Sequence, residues 1–269
     1  MFSLVAVSAE LAEQLVAVEA GGDDAVHQAR TRVRRLRSIL SVYGRPFDAD
    51  AVASLRERLK VFGGRLGDVR DLEVRATAIE DTLGAETAPE VIDVVMAMAA
   101  DARERYEAAS RRLIRILHST STRRLLADVL VFAAEPPLRG RGRKHPRKLA
   151  RKALAKAARK ARTTGASLEQ RHATRKAARR LRYAADAVAD LFGRDAVRLS
   201  TAAEAVQDAL GDHRDLVLLA AHLRAEARAR GLTGSAAVGV EELAVACEDR
   251  ADEALEGIED RLAAIAHAA

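Results

Sequence analysis

The stretch HQARTRVRRLRSILSVY, residues 27–43, decides how this chain folds. At about 100° per residue, Ala29, Val33, Leu36 and Leu40 fall on one side of a helix, whereas basic residues occupy another side. The segment therefore predicts an amphipathic helix with an apolar face for the core and a cationic stripe facing away from it. This first stripe consists of His27, Arg30, Arg34 and Arg37, with Arg35 on its flank.

The same pattern returns 145 positions later in HATRKAARRLRYAADAVADLF, residues 172–192. The second stripe consists of His172, Arg175, Arg179 and Arg182, widened by Lys176 and Arg180 and followed by Tyr183. Another block, LGDVRDL at 66–72, returns 144 positions later as LGDHRDL at 210–216. Two separated blocks in the same order and register predict an internal duplication.

The rest of the sequence indicates helices throughout. Aromatic residues make up only 3% of the 269 positions, and Gly and Pro fall mostly between long stretches of strong helix formers. We predict an all-α fold with two pseudo-symmetric antiparallel helical bundles, each of about four helices plus connecting helices. The chain would form a single domain, 1–269, from repeat 1 at 1–135 and repeat 2 at 146–269, joined by a basic linker at 136–145.

The distribution of charge points to an anionic partner. The net charge is +6, yet the window from Arg139 to Arg182 holds 18 lysines and arginines and only one acid, Glu169. This separation of sign creates a strong local focus of positive potential. No apolar run approaches the ~20 residues that cross a bilayer, and Cys247 lacks a partner for an intrachain disulfide, so we expect a cytoplasmic protein.

The cationic stripes favour ligand binding over a structural role. Like charges one turn apart destabilise an isolated helix by about 0.2–0.5 kcal/mol per pair. Because the stripes have no interleaved acids, we expect a group outside each helix to reduce this repulsion. The alternative is a solvated face, or one paired with acids on neighbouring helices. We favour a phosphate-rich ligand because the stripe is built twice and a guanidinium grips two phosphate oxygens. The segment after Pro146 adds the candidates Lys148, Arg151, Lys152 and Arg159.

The repeated LGD block has a structural interpretation that we prefer. Gly67 and Gly211 suit the end of one helix, and Asp68 and Asp212 suit the cap of the next. Two further candidates for the binding site, Arg70 and Arg214, either reach the ligand or are held by a nearby aspartate.

A catalytic interpretation would recruit Asp208, Asp212, His213 and Asp215 as ligands for a metal that polarises phosphate. The first repeat has Gly64 and Val69 where Asp208 and His213 stand in the second. His27 and His172 each lack a second ligand at helical spacing. We therefore predict no catalytic residue, no bound metal and no cofactor.

The two arginine segments, each followed by the LGxxRDL block, resemble the CHAD family, the conserved histidine α-helical domain. The resemblance covers nearly the whole chain and implies two four-helix bundles related by pseudo-twofold symmetry, with a basic surface or cavity that binds inorganic polyphosphate and targets the protein to polyphosphate granules. By motif, the family's binding set falls on His27, Arg30, Arg34, Arg37, His172, Arg175, Arg179 and Arg182. One departure is Ser38, which stands where the second repeat has Tyr183.

The resulting hypothesis is a non-catalytic polyphosphate-binding module, in which the two stripes form the walls of a channel for successive phosphates. One alternative is a non-specific nucleic-acid binding protein, whose cations neutralise backbone phosphates without reading bases. A second alternative is a metal-dependent phosphohydrolase. The acidic segment from Glu241 to Asp260 is either a solvated face or a surface for a second partner.

Overall fold

The computed structural model describes residues 2–139 and 146–269, and in these ranges the fold is all-α. Residues 140–145, within the predicted linker 136–145, lie outside the described residues. The helices are α1 Phe2–Glu19, α2 Ala25–Tyr43, α3 Ala49–Glu80, α4 Pro89–Leu117, α5 Thr120–Ala134, α6 Pro146–Ala161, α7 Leu168–Asp186, α8 Ala189–Phe192, α9 Arg194–Ala229, α10 Gly234–Glu253 and α11 Ile258–Ala268. No described helix is long and apolar enough to cross a membrane.

The predicted helix stops at Gly67 and Gly211 are wrong. Gly67 lies inside the 32-residue helix α3, and Gly211 lies inside the 36-residue helix α9. Asp68 and Asp212 consequently occupy helix interiors and cap no helix. A glycine costs a helix only about 1 kcal/mol relative to alanine, and tertiary packing outweighs that cost here.

Two other predicted helices are interrupted. The sequence pattern predicts one helix at 167–191, but the helix ends at Asp186 and is followed by the four-residue α8. The sequence pattern also predicts one helix at 239–267, but this stretch is divided between α10 and α11, and Gly257 between them has a φ of +69°. That left-handed conformation suits glycine because a side chain would be strained there.

The described chain forms two compact units. The first comprises Met1–Gly67, Arg112–Gln207 and Glu259–Ala269, and the second comprises Asp68–Arg111 and Asp208–Ile258. Each unit therefore contains segments of both sequence halves. The internal duplication, its boundaries and its pseudo-symmetry stay predictions from the sequence.

Each unit has its own apolar core. In the first unit, Leu11, Leu36, Leu59 and Leu181 are fully buried. In the second unit, α3, α4, α9 and α10 contribute the buried side chains, which include Ile79, Val95, Met98, Leu223 and Cys247. The burial of these apolar faces, rather than helix propensity alone, stabilises the long helices.

The acidic segment of α10 makes ion pairs within the second unit. Arg224 lies 2.7 Å from Glu241 and 2.5 Å from Glu248. Hydrogen bonds from Arg224 lower the pKa of both carboxyl groups. These two acids are thus held by a neighbouring helix of the same chain.

Candidate anion-binding site

Helices α2 and α7, which carry the two cationic stripes, pack against each other in the first unit. Their predicted apolar faces are buried: Ala29 and Val33 on α2 and Ala178 and Leu181 on α7 have no exposed surface. Tyr43 links the two helices directly, because its hydroxyl donates a hydrogen bond to the backbone oxygen of Ala184 at 2.8 Å. The periodic pattern therefore identified the buried faces correctly.

The start of α7 is fixed by local polar contacts. Ser167 and Gln170 form a reciprocal capping box, in which each side chain accepts a hydrogen bond from the other residue's backbone N–H. The hydroxyl of Thr174, one turn later, donates to the backbone oxygen of Thr163 at 2.9 Å. These bonds satisfy the helix terminus and anchor the beginning of the second stripe.

The two stripes converge on a group of half-buried arginines that we call the arginine cluster: Arg30, Arg34, Arg37, Arg175 and Arg179. Burial and, after it, repulsion from Arg179 and Arg30 together lower the pKa of Arg34 to about 9. Burial and the charge of Arg175 likewise lower the pKa of Arg179 to about 10. Both guanidinium groups stay charged at neutral pH. The cluster therefore holds cations that repel one another and that have lost part of their hydration through burial.

Among the described residues, no acid forms an ion pair with the centre of this cluster, although the charge of Glu57 partly offsets the lowering of the pKa of Arg37. Within the described ranges, Arg34, Arg37 and Arg179 make no ion pair with a carboxylate. Arg32, on the same helix as Arg34, instead lies 3.1 Å from Glu10. The predicted alternative, in which acids on adjacent helices pair with the stripe, thus does not hold for Arg34, Arg37 and Arg179 at the cluster's centre.

Two predicted residues of the stripes are held by acids at the edge of the cluster. Arg35 lies 4.0 Å from both Glu10 and Asp186. Arg182 lies 2.6 Å from Glu204, and its guanidinium sits 5.7 Å from the ring centre of Tyr183. Tyr183 itself is buried beside Arg34 and Arg179. Ser38 on α2 is also buried. The other predicted residues of these two helices are half-buried His27, His172 and Arg180 and exposed Lys176.

Gly67 makes room for one arginine of the cluster. A Cβ atom at Gly67 would lie 3.2 Å from Nη2 of Arg30 and 3.4 Å from its Cζ and Nε atoms. The Arg30 guanidinium therefore lies directly against the backbone of α3. This close approach gives the buried glycine of the LGD block a role in tertiary packing, in place of the predicted helix stop.

The predicted candidates outside α2 and α7 have different surroundings. Lys148, Arg151, Lys152 and Arg159 are exposed on α6, and Arg151 lies over the ring of Phe192 at 5.5 Å. Arg70 and Arg214 belong to the second compact unit. Arg70 lies 2.9 Å from Glu73, and Arg214 lies 3.5 Å from Asp215, so each has an acid beside it.

Arg56 is a cation of this region that the sequence reasoning missed. It is exposed on α3, and its charge is the largest influence after burial in lowering the pKa of Arg37. Arg180 also contributes to that depression. No sequence motif marks Arg56, because only the packing of α3 against α2 brings it beside the stripe.

The described residues contain no group of three or more His, Cys, Asp or Glu side chains arranged to hold a metal ion. Of the residues in the catalytic alternative, His213 is buried, with 3% of its surface exposed, while Asp212 and Asp215 are exposed. The geometry that is present favours electrostatic binding of an anion by guanidinium groups.

Comparison with known proteins identifies the family. The CHAD domain model matches residues 6–224. Two uncharacterized proteins from two strains of Mycobacterium tuberculosis are each 33% identical over 240 residues, which cover 84% of this chain and 45% of the relative. The chain thus spans less than half the length of these curated relatives.

Two solved structures share the fold. PptA from Streptomyces chartreusis superposes with a TM-score of 0.73 at 20% identity, covering 96% of this chain and 95% of that one. The CHAD domain from the plant Ricinus communis gives a TM-score of 0.71 at 22% identity, covering 95% and 88%. Together with the match over most of the sequence, these comparisons show that the chain belongs to the CHAD domain family.

Proposed function

We propose that this protein binds inorganic polyphosphate, without catalysis, through the arginine cluster between α2 and α7. The observation that carries the proposal is the set of half-buried guanidinium groups whose central members, Arg34, Arg37 and Arg179, have no carboxylate partner among the described residues. A linear polyanion supplies the missing charge, and each guanidinium can bind two phosphate oxygens. Membership of the CHAD family supports the same ligand.

The cluster suits a chain of phosphates better than a single phosphate ion. Its arginines follow one another by three or four residues along both helices, so the cationic surface extends along about two turns of α2 and one turn of α7. Successive phosphates can engage successive guanidiniums, and each added contact raises the affinity of the whole chain. The proposed partner in the cell is therefore long polyphosphate, with association to polyphosphate granules as the consequence.

Competition between two polyanions tests the choice of ligand. The protein is bound to labelled duplex DNA at one salt concentration, and either long-chain polyphosphate or unlabelled DNA is added as competitor. Counted per phosphate, polyphosphate is expected to displace the protein from the labelled DNA at least about tenfold more effectively than unlabelled DNA does. The physical reason is that a flexible phosphate chain can enter a half-buried cluster, whereas a stiff duplex engages mainly exposed cations. Equal or stronger displacement by DNA would replace this proposal with non-specific nucleic-acid binding.

The proposal also predicts no turnover of the ligand. Polyphosphate incubated with the protein and Mg²⁺ or Mn²⁺ is expected to keep its length distribution on a gel. Guanidinium groups bind phosphate oxygens but provide no activated water. Chain shortening that disappears in both Asp212→Ala and Asp215→Ala would instead establish the phosphohydrolase alternative.

Substitution of Gly67 tests the position of Arg30 in the site. Gly67→Leu is expected to weaken polyphosphate binding at least about tenfold, because the new side chain occupies the space that the Arg30 guanidinium fills. The matched control is Gly64→Leu on the same helix, since a Cβ at Gly64 meets nothing within 4 Å. Titration calorimetry should give an unchanged polyphosphate affinity for that control. If both variants bind polyphosphate with equal affinity, Arg30 does not belong to the binding site.

A further inference from the structure

A large cavity lies entirely within the first compact unit, on another side of α2 and α7 from the arginine cluster's centre. Its volume is about 1200 Å³, and its walls come from α1, α2, α6, α7 and α8 with the segments around Phe47 and Leu138. None of the cluster residues Arg30, Arg34, Arg37, Arg175 and Arg179 lines it. It is thus separate from the proposed polyphosphate site and larger than the ~300–1,000 Å³ of an ordinary ligand pocket.

One part of the cavity wall is apolar. Leu4, Val7 and Ile39 are buried side chains that face it, and half-buried Val42 and Phe47 extend the same surface. Leu138 and Leu191 also line the cavity while keeping 58% and 37% of their surface exposed. Water is a poor occupant beside the exposed apolar surface of Leu138 and Leu191, and the alkyl chain of a ligand would cover that surface.

The other part of the wall is strongly cationic. Among the described residues, eight lysines and arginines and only three carboxylates line the cavity. Lys152, Lys156 and Lys160 stand one turn apart on the same face of α6, opposite Arg180 of α7. None of these four makes an ion pair in the part of the chain that the structure describes, so their charge is available to a ligand.

A polyphosphate chain would match the cations but leave the apolar wall in contact with a highly hydrated anion. A neutral lipid would match the apolar wall but leave the lysine row without a partner. We propose that this cavity binds a single-chain amphiphile, with a long alkyl chain against Leu4, Val7 and Ile39 and an anionic headgroup held by Lys156, Lys160 and Arg180. Carboxylate and phosphate headgroups share the charge that this row recognises.

Titration with monomeric amphiphiles tests this proposal. Octyl, decyl and dodecyl phosphate, each below its micelle concentration, are expected to bind with affinity that rises about fourfold per added methylene, the equivalent of ~0.8 kcal/mol. Dodecanoate should bind as well, whereas dodecyl maltoside should bind at least about tenfold more weakly. Inorganic phosphate should not displace dodecyl phosphate.

Variants distinguish this cavity from the arginine cluster. Ala153 lines the cavity and Ala155, on the same helix, does not, so Ala153→Phe should lower dodecyl phosphate affinity at least about tenfold while Ala155→Phe leaves it unchanged. Polyphosphate binding should persist in Ala153→Phe, and amphiphile binding should persist after loss of Arg34 and Arg179. Affinity independent of chain length, an unaffected Ala153→Phe variant, or binding only to anionic phospholipid vesicles would each overturn the proposal.

Discussion

Replacing Arg34 and Arg179 together with methionine is expected to weaken polyphosphate binding at least about 100-fold while raising the melting temperature of the unbound protein. Each charge-assisted hydrogen bond contributes roughly 1.5–3 kcal/mol, so the loss of two arginines removes at least about 3 kcal/mol of binding free energy. Methionine keeps an unbranched apolar stem like that of arginine without the guanidinium, so the packing around α2 and α7 is largely retained.

The opposite effect on stability follows from the lowered pKa values of Arg34 and Arg179. At neutral pH both groups are charged in the folded and in the unfolded chain, and the folded chain alone bears the cost of burying and crowding them. Removing such charges in favour of apolar groups of similar volume is often stabilising by ~1 kcal/mol or more. In a protein of this size that corresponds to a rise of about 2–4 °C.

Arg32 provides the matched control for this pair. It is carried by the same helix as Arg34 but lies 3.1 Å from Glu10 and outside the cluster. Arg32→Met should leave polyphosphate affinity unchanged and should not raise the melting temperature, because it breaks an existing ion pair. Titration calorimetry and thermal unfolding of the three proteins give both quantities. If Arg32→Met, which removes one charge, lost about half of the binding free energy that the double variant loses, the affinity would reflect net charge and not the cluster.

Raising the salt concentration from 50 to 200 mM is expected to lower polyphosphate affinity by about 100-fold. Five arginines that each displace a counterion from a flexible phosphate chain give a logarithmic slope of about −3.5, by analogy with single-stranded nucleic acid. The slope should become shallower by about 1.4 in the Arg34→Met, Arg179→Met double variant, since two of the five contacts are missing.

The salt series also distinguishes the cluster from exposed cations of α6. Lys148→Gln with Arg159→Gln removes two exposed cations that do not line the cavity of the first unit. If the cluster provides the contacts, this pair changes the slope much less than the loss of Arg34 and Arg179 does. If both pairs of substitutions changed the salt slope equally, the binding site would have to include α6.

The sequence was sufficient to predict the buried faces of the two arginine helices. Their apolar residues recur with the helical period, so the burial of Val33 and Leu181 follows from the spacing alone. The all-α fold and the CHAD family were likewise predicted from helix-forming composition and from four motif blocks in order. These features depend on local pattern, and local pattern is what a single sequence contains.

Features that depend on the packing of distant segments were not predicted. Gly67 follows the rule for a helix stop, yet it lies inside α3 with the Arg30 guanidinium of another helix against it, and no local signal indicates that contact. Arg56 carries no motif and joins the region only because α3 packs near Arg37. The pairing of Arg32 with Glu10, which separates it from Arg34 two positions later, also depends on where α1 lies.

The most direct test of the arginine cluster as the binding site is a crystal structure of the protein with a polyphosphate chain bound. We expect phosphate oxygens within hydrogen-bonding distance of Arg34 and Arg179, with further phosphates beside Arg30, Arg37 and Arg175. A bound chain that follows other cations and leaves Arg34 and Arg179 without a phosphate contact would contradict the proposed site.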